Sequence, residues 1–370
     1  MNRKRKLYAP STARRINPTL LPAMEPICFG HLLDGETVEA YDLLLSDGSG
    51  PRIITLGGII TSLRVPDRDG ALADVVLGFN NLADYLKPHP YFGAIAGRVA
   101  GRINGAHFEL DGRSFPLAAN DPPNHLHGGT GGFSRRNWSA TPLVRSDRAP
   151  SVRLEYHSPD GEDGYPGNID VAVTYTFTAE HALIVEIEAT TDAATPFSLT
   201  QHSYFNLAGE DAGDASAHEL QIWADSYAPA DDRMALLDRR KPVVAGGNDF
   251  RESRTVASAL PLLHGQHGDL YFLPKSAAGK LHRAARMHDP SSGRTLTVRT
   301  DEPCLQFYTG VSLDDSTIGK TGQPHGPFGG LCLECEGYPN GPNTPELGDI
   351  ILRPDTRFHR TTRYEFSNDR

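Results

Sequence analysis

A glutamate stands inside an apolar, strand-like run, Leu331-Cys332-Leu333-Glu334-Cys335-Glu336. Carboxylates are rarely fully buried unless paired or hydrogen-bonded, so Glu334 needs a partner or a task. In SLTQHSYFNLAG (198–209), His202 ends an alternating stretch. Histidine titrates near neutrality, which suits it to proton transfer as well as to a structural hydrogen bond. Two titratable groups of different pKa on neighbouring strands make an acid/base pair, and His202 and Glu334 are the candidates. YFGAIAGRVAGRING (91–105) carries Gly93, Gly97, Gly101 and Gly105, with Arg98 and Arg102 between them. It lacks the GxxxxGK pattern of a phosphate loop. It reads either as a glycine-rich bend with surface arginines or as a cleft edge where Arg102 donates to ligand oxygens. His125 and His127 of NDPPNHLHGG (120–129) would share one face of a strand, which suits a metal. No third ligand follows at a clear spacing, and none is expected from Cys332-x-x-Cys335, which has no companion pair.

The elements that must position these residues read as short strands. VAVTYTFT (171–178) puts Val171, Val173, Tyr175 and Phe177 on one face, and ALIVEIEAT (182–190) alternates likewise. The turn TAEHA between them predicts a hairpin. HFELDGRSFPL (107–117) predicts another, with Asp111-Gly112 at a turn that tolerates positive φ. CFGHLLDGETVEAYDLLL, SVRLEYHS (151–158), ELQIWADSY (219–227), RTLTVRT (294–300) and CLQFYTG (304–310) follow the same style. Helical periodicity is scarce, with two turns expected over NNLADYL (80–86). Many strands and few, short helices predict an all-β protein built as one large antiparallel β-sandwich over residues 24–370.

Composition narrows the function classes. The 370 residues carry a net charge of −10, which argues against a duty that depends on grasping nucleic-acid phosphates. No apolar run approaches the length of a membrane helix. The first 23 residues hold six basic side chains and no acid, leaving −16 for the remainder. INPTLLPAM, broken by Pro18 and Pro22, is too short for the apolar core of an export signal. The expectation is a disordered basic tail, or a natural start at Met24, and a cytoplasmic location. Four cysteines are too few for a disulfide scaffold.

Taken together, GFNNLADYLKPHPYFGAIAGRVAGRI, NHLHGG, SPDGEDGYPG, QHSYFNLAG, LQFYTG and LECEGYPNGPN resemble the aldose 1-epimerase (galactose mutarotase) family in wording and order, from about Phe29 to Phe366. The resemblance implies a galactose mutarotase-like supersandwich with an open cleft for a free hexose. It implies interconversion of α and β anomers without cofactor or metal. It makes His202 the general acid and Glu334 the general base. Arg102 becomes a sugar-binding arginine, His127 a residue near the ring oxygen, and Gln306 and Asp269 holders of sugar hydroxyls. The partner implied is a monosaccharide, with no nucleic acid or membrane, and the protein would be a monomer or homodimer.

Departures from the family wording bear on the preferred sugar. Gly101 and Gln201 stand where asparagine is usual, Leu270-Tyr271 follow Asp269 in place of His-Asn, and Cys335-Glu336 replace Thr-Gln. Alternation would put Glu336 on the face of Glu334, where repulsion raises a carboxyl pKa. Three rival readings are a hexose-6-phosphate 1-epimerase, for which Arg98 and Arg102 are possible phosphate donors, a non-catalytic sugar-binding module, and a glycoside hydrolase. The last would need two carboxylates on opposite sides of a bond, which same-strand neighbours cannot supply.

Overall fold

The computed structural model describes residues 24–144, 149–275 and 280–369, and the basic segment 1–23, with the tail expected there, lies outside the described residues. Alternating segments pair where their sequences predict. Ile169–Phe177 and Ala182–Thr191 form the expected hairpin, with Tyr175 opposite Val185. His107–Leu110 pairs with Arg113–Pro116 across Asp111 and Gly112, whose φ angles are 51° and 76°. Left-handed backbone of this kind is what a two-residue hairpin turn requires.

Three larger antiparallel sheets organise the described residues. The nine-stranded sheet runs, in spatial order, through Ser139–Val144, Pro150–Ser158, Ile169–Phe177, Ala182–Thr191, Phe358–Asn368, Arg294–Thr300, His282–His288, Glu219–Ile222 and Arg254–Thr255. The six-stranded sheet runs through Tyr204–Phe205, Leu331–Glu336, Cys304–Tyr308, Leu270–Phe272, Ser226–Ala228 and Lys241–Pro242. The segments from Ile27–His31 to Leu72–Asp74 make a five-stranded meander.

The nine- and six-stranded sheets share one core. Val173, Tyr175 and Val185 of the first meet Leu305, Phe307 and Leu333 of the second in a single buried apolar cluster. Each such side chain contributes about 1.5–3 kcal/mol through burial. Because strand side chains alternate, this packing decides the other face as well. With Leu331, Leu333 and Cys335 in the core cluster, Cys332, Glu334 and Glu336 face the opposite way. A one-residue slip of Leu331–Glu336 would drive both glutamates into the core, so the apolar face fixes the register of the chemistry.

Two expectations change. The segment NNLADYL forms one turn, Leu82–Tyr85, capped by the Asn81 side chain, and not two. ELQIWADSY is not one strand. Glu219–Ile222 belongs to the nine-stranded sheet and Ser226–Ala228 to the six-stranded one. The Trp223 amide bonds to Ala284 O and the Asp225 carbonyl accepts from Val243, so the chain changes partners between them. No helix among the described residues is long and apolar enough to cross a membrane.

Candidate active site

The outward face of the six-stranded sheet is the floor of a cleft of about 210 Å³. Register aligns its side chains: Leu270 lies opposite Gln306 and Gln306 opposite Glu334, while Cys304 lies opposite Glu336 and Tyr308 opposite Cys332. Asp269 precedes Leu270 at the end of this row. Arg102, His127, His202, Asp269, Gln306 and Glu334, the six residues singled out in the sequence, all line this cleft.

His202 ends the strand Thr200–His202, opposite Ala94, and its carbonyl accepts from the Gly93 amide. Its Nε2 stands 3.4 Å from Glu334 Oε2. On the other side Nδ1 lies 3.8 Å from Cys332 Sγ. Tyr91 and Tyr204 stack on the ring, each at 24° between planes. These two tyrosines hold the imidazole plane, a role the sequence did not disclose.

His127 is fixed differently. It sits in left-handed backbone, φ 50°, just past the short strand His125–Leu126. Its amide donates to Gly101 O at 3.0 Å, and the Gly101 amide donates back to His127 Nδ1 at 3.1 Å. An Nδ1 that accepts a proton-bearing amide leaves the ring proton of a neutral imidazole on Nε2. His127 is therefore a donor with a fixed tautomer. Burial, then His202 and Arg102, hold its pKa well below the usual value. His125 does not share its face: its Nδ1 pairs with Ala118 O at 2.8 Å and its ring packs on Tyr165. His127, His202 and Glu334 bring possible ligand atoms within 4.8 Å of one another. The Nδ1 lone pair of His127 is taken by an amide and its Nε2 carries the proton, so the ring as held does not fit a metal.

Arg102 pairs with Leu126 in backbone register, and its Nε donates to Asp121 Oδ2 at 2.7 Å. The NDPPNHLHGG segment thus supplies both the anchor of Arg102 and His127. Arg98 is not the surface arginine of the first reading. It is 2% exposed and donates to Pro166 O, Gly167 O, Pro159 O, Ser158 and Thr195 Oγ1. The SPDGEDGYPG segment is therefore a cage for this guanidinium, and Arg98, buried behind its terminal-nitrogen bonds, does not line the cleft. Glycine is required where the loops touch: a Cβ on Gly128, whose φ is +82°, would lie 1.8 Å from Gly97 O.

Burial sets the electrostatics. It lowers the His202 pKa to about 4. It raises that of Glu334 to about 8, with Arg102 pulling the other way. Removing two opposite charges from water disfavours both charged forms, so burial favours neutral His202 beside protonated Glu334. Asp269 is raised to about 6 by burial, opposed by His264 and a hydrogen bond to Asn248. Gln306 Nε2 donates to Phe307 O at 2.7 Å.

Of the departures, Gln201 is spent on the scaffold: its Nε2 donates to Gly93 O at 2.7 Å and its Oε1 accepts from the Ser203 amide. Leu270 lines the cleft, whereas the Tyr271 hydroxyl donates to Asn248 O from the core. His267 was missed. Its Nδ1 lies 2.8 Å from Gly268 O and must donate there, which leaves the buried, unpartnered Nε2 as an acceptor beside the cleft. Only the preceding Gln-His-Gly spacing to Asp269 could have signalled it.

A strand-rich sandwich whose cleft gathers a buried histidine–glutamate pair with Arg102, His127, Asp269 and Gln306 has the build of a sugar-handling isomerase. The chain belongs to the aldose 1-epimerase family: the family's sequence model, described as aldose 1-epimerase, matches residues 43–365. It is 42% identical over 340 residues to the galactose mutarotases of Sus scrofa and Homo sapiens, covering 92% of this chain and 97% of each of those. It is 33% identical to the aldose 1-epimerase of Escherichia coli (strain K12), over 89% of this chain and 96% of that one. Among solved structures, the aldose epimerase homologue of C. elegans superposes with a TM-score of 0.80 at 26% identity, covering 94% and 100% of the two chains. Galactose 1-epimerase from Lactobacillus acidophilus NCFM gives the same TM-score and identity, covering 94% and 99%.

Proposed function

We propose that the protein is a mutarotase that interconverts the α and β anomers of free hexoses such as galactose and glucose, with His202 and Glu334 as its proton-transfer pair. The observation that carries the assignment of the pair is their 3.4 Å approach inside the cleft that also gathers Arg102, His127, Asp269 and Gln306.

A cyclic aldose is a hemiacetal. Opening it takes the proton of the anomeric hydroxyl and delivers one to the ring oxygen. Glu334 as carboxylate takes the first, and protonated His202 delivers the second. The open aldehyde turns about the bond from C1 to C2, and reclosure on the other face reverses both transfers. The ring-opened state leaves His202 neutral and Glu334 protonated, the arrangement that burial favours. The proton count of the pair is the same before and after opening, so neither group needs exchange with solvent during the reaction. Arg102 stabilises the Glu334 carboxylate needed at the start. Nε2–H of His127 suits the ring-oxygen side, and Asp269 and Gln306 hold hydroxyls, so that the sugar is oriented before chemistry.

The enclosure of Arg98 supports an unphosphorylated substrate. Polarimetry on freshly dissolved α-D-galactose, α-D-glucose and α-D-glucose 6-phosphate tests the reading. It predicts faster relaxation of the free sugars. Relaxation of both at the uncatalysed rate would contradict it, and acceleration of the phosphate ester alone would replace the substrate class.

A further inference from the structure

Two of the departures from the family wording, Gly101 and Glu336, lie far apart in sequence and meet in the cleft. Gly101 has φ +73°, and a Cβ there would stand 2.5 Å from Pro339 Cγ and 3.5 Å from Glu336 Oε1. A side chain at position 101 would therefore crowd Pro339 and cover the Glu336 carboxyl. Glycine places no side chain over that carboxyl. Gly101, Glu336 and Pro339 all line the cleft. Glu336 is 1% exposed, and its Oε2 has no hydrogen-bond partner. Buried polar atoms are almost always satisfied, so an orphan oxygen in a ligand cleft points to a ligand group.

The surroundings decide what it can offer. Glu334 lies two residues away on the same strand face, Cys304 stands directly opposite on the neighbouring strand, and Glu302 precedes that strand. Gly101 stands beside the Glu336 carboxyl with Arg102 next in the chain, and the charge of Arg102 acts on Glu334. Arg240 acts on Cys304. Burial, then Glu334 and Glu302, hold the Glu336 carboxyl protonated well above the usual range. A carboxylic acid can donate as well as accept, where a carboxylate only accepts.

We infer that Glu336 is a specificity-determining residue whose side chain donates a hydrogen bond to one hydroxyl of the bound monosaccharide, at the Gly101–Pro339 edge of the cleft. The inference rests on the reading of the cleft as a site for a cyclic free sugar, and binding tests it separately from turnover. The experiment is calorimetric titration of wild type, Glu336→Leu and Glu336→Gln with D-galactose, D-glucose and their monodeoxy analogues, with thermal melting as the folding control. In wild type one deoxy analogue should bind roughly three- to tenfold more weakly than its parent. Glu336→Leu should weaken the parent by a similar factor and bind that analogue no worse than wild type does. Glu336→Gln keeps a donor and should retain the discrimination, while losing the part of the affinity decline at alkaline pH that Glu336 causes. If Glu336→Leu does not fold, the pH comparison between wild type and Glu336→Gln carries the test. Equal discrimination at every deoxy position in wild type and a folded Glu336→Leu would overturn the contact, as would identical pH profiles of affinity in wild type and Glu336→Gln. A wild type that binds sugar through this contact without accelerating mutarotation would remove the enzymatic reading and leave the inference standing.

Discussion

At the scale of single residues, the cleft sorts its titratable groups by what burial does to them. His202 and Glu334 share one proton, and activity needs that count. Below about pH 4 the pair gains a second proton and has no base; above about pH 8 it loses its last one and has no acid. A bell-shaped profile of kcat/KM between those limits is expected, belonging to the pair and not to either residue. His127 is not expected to set either limb, because burial holds it toward its neutral form and its Nδ1 is occupied by the Gly101 amide. Asparagine tolerates the left-handed backbone at position 127, so His127→Asn should fold. It should lower kcat/KM by roughly tenfold or more and leave both limbs where they are. A shifted limb in that variant would show that His127 exchanges a proton.

At the scale of elements, the strands were legible because alternation is a local signal. Leu331 to Glu336 announced itself as a strand with acids on one side, and the packing of Leu333 against the opposite sheet made that reading correct. The short helix was over-read because Leu82 and Tyr85 need only one turn to bury themselves. What could not be read was partnership between distant segments. The change of sheet at Trp223–Asp225 depends on Ala284 and Val243. Arg98 looked like a surface donor because most of its acceptors are main-chain carbonyls, among them those of residues 159, 166 and 167, which leave no mark in side-chain identity. The left-handed turn at His127 likewise separated two histidines that a regular strand would have kept together. Arg98→Ala would strand several buried acceptors. It should cost about 3 kcal/mol or more in chemical denaturation and loosen the Arg102–His127 edge. Gly128→Ala should destabilise as well, since its Cβ would collide with Gly97 O. A fully stable Arg98→Ala would contradict the cage.

At the scale of the whole molecule, one core faces the two large sheets toward each other, and the cleft lies on the back of the smaller one. The arrangement stores several carboxyls out of water. Glu302, 3% exposed beside Arg360, is raised to about 8, and Glu210 to about 7, both chiefly by burial. A carboxyl raised in the folded state stabilises fully below its unfolded pKa and loses that stability as pH rises through the folded value. His218 and His325 are lowered to about 4 by burial and act oppositely, losing stability as pH falls from about 6.5. The two trends offset each other between about pH 4.5 and 6.5, and above that range the carboxyls dominate. Urea denaturation should therefore show lower stability at pH 8 than at pH 6, and Glu302→Gln should recover on the order of 1–2 kcal/mol of the difference. An unchanged difference in that variant would clear Glu302 of the effect.

The central claim is that His202 and Glu334 work as one proton-transfer unit, and polarimetric relaxation of α-D-galactose at pH 6 tests it most directly. Wild type, His202→Asn, Glu334→Gln and the double variant would be compared, each checked for folding by its melting transition. Each single variant should lose a factor of about 10²–10⁴ in kcat/KM. The double should lose little more than the worse single, because members of one unit are not additive. A folded single variant that keeps kcat/KM within a few-fold of wild type would contradict the account.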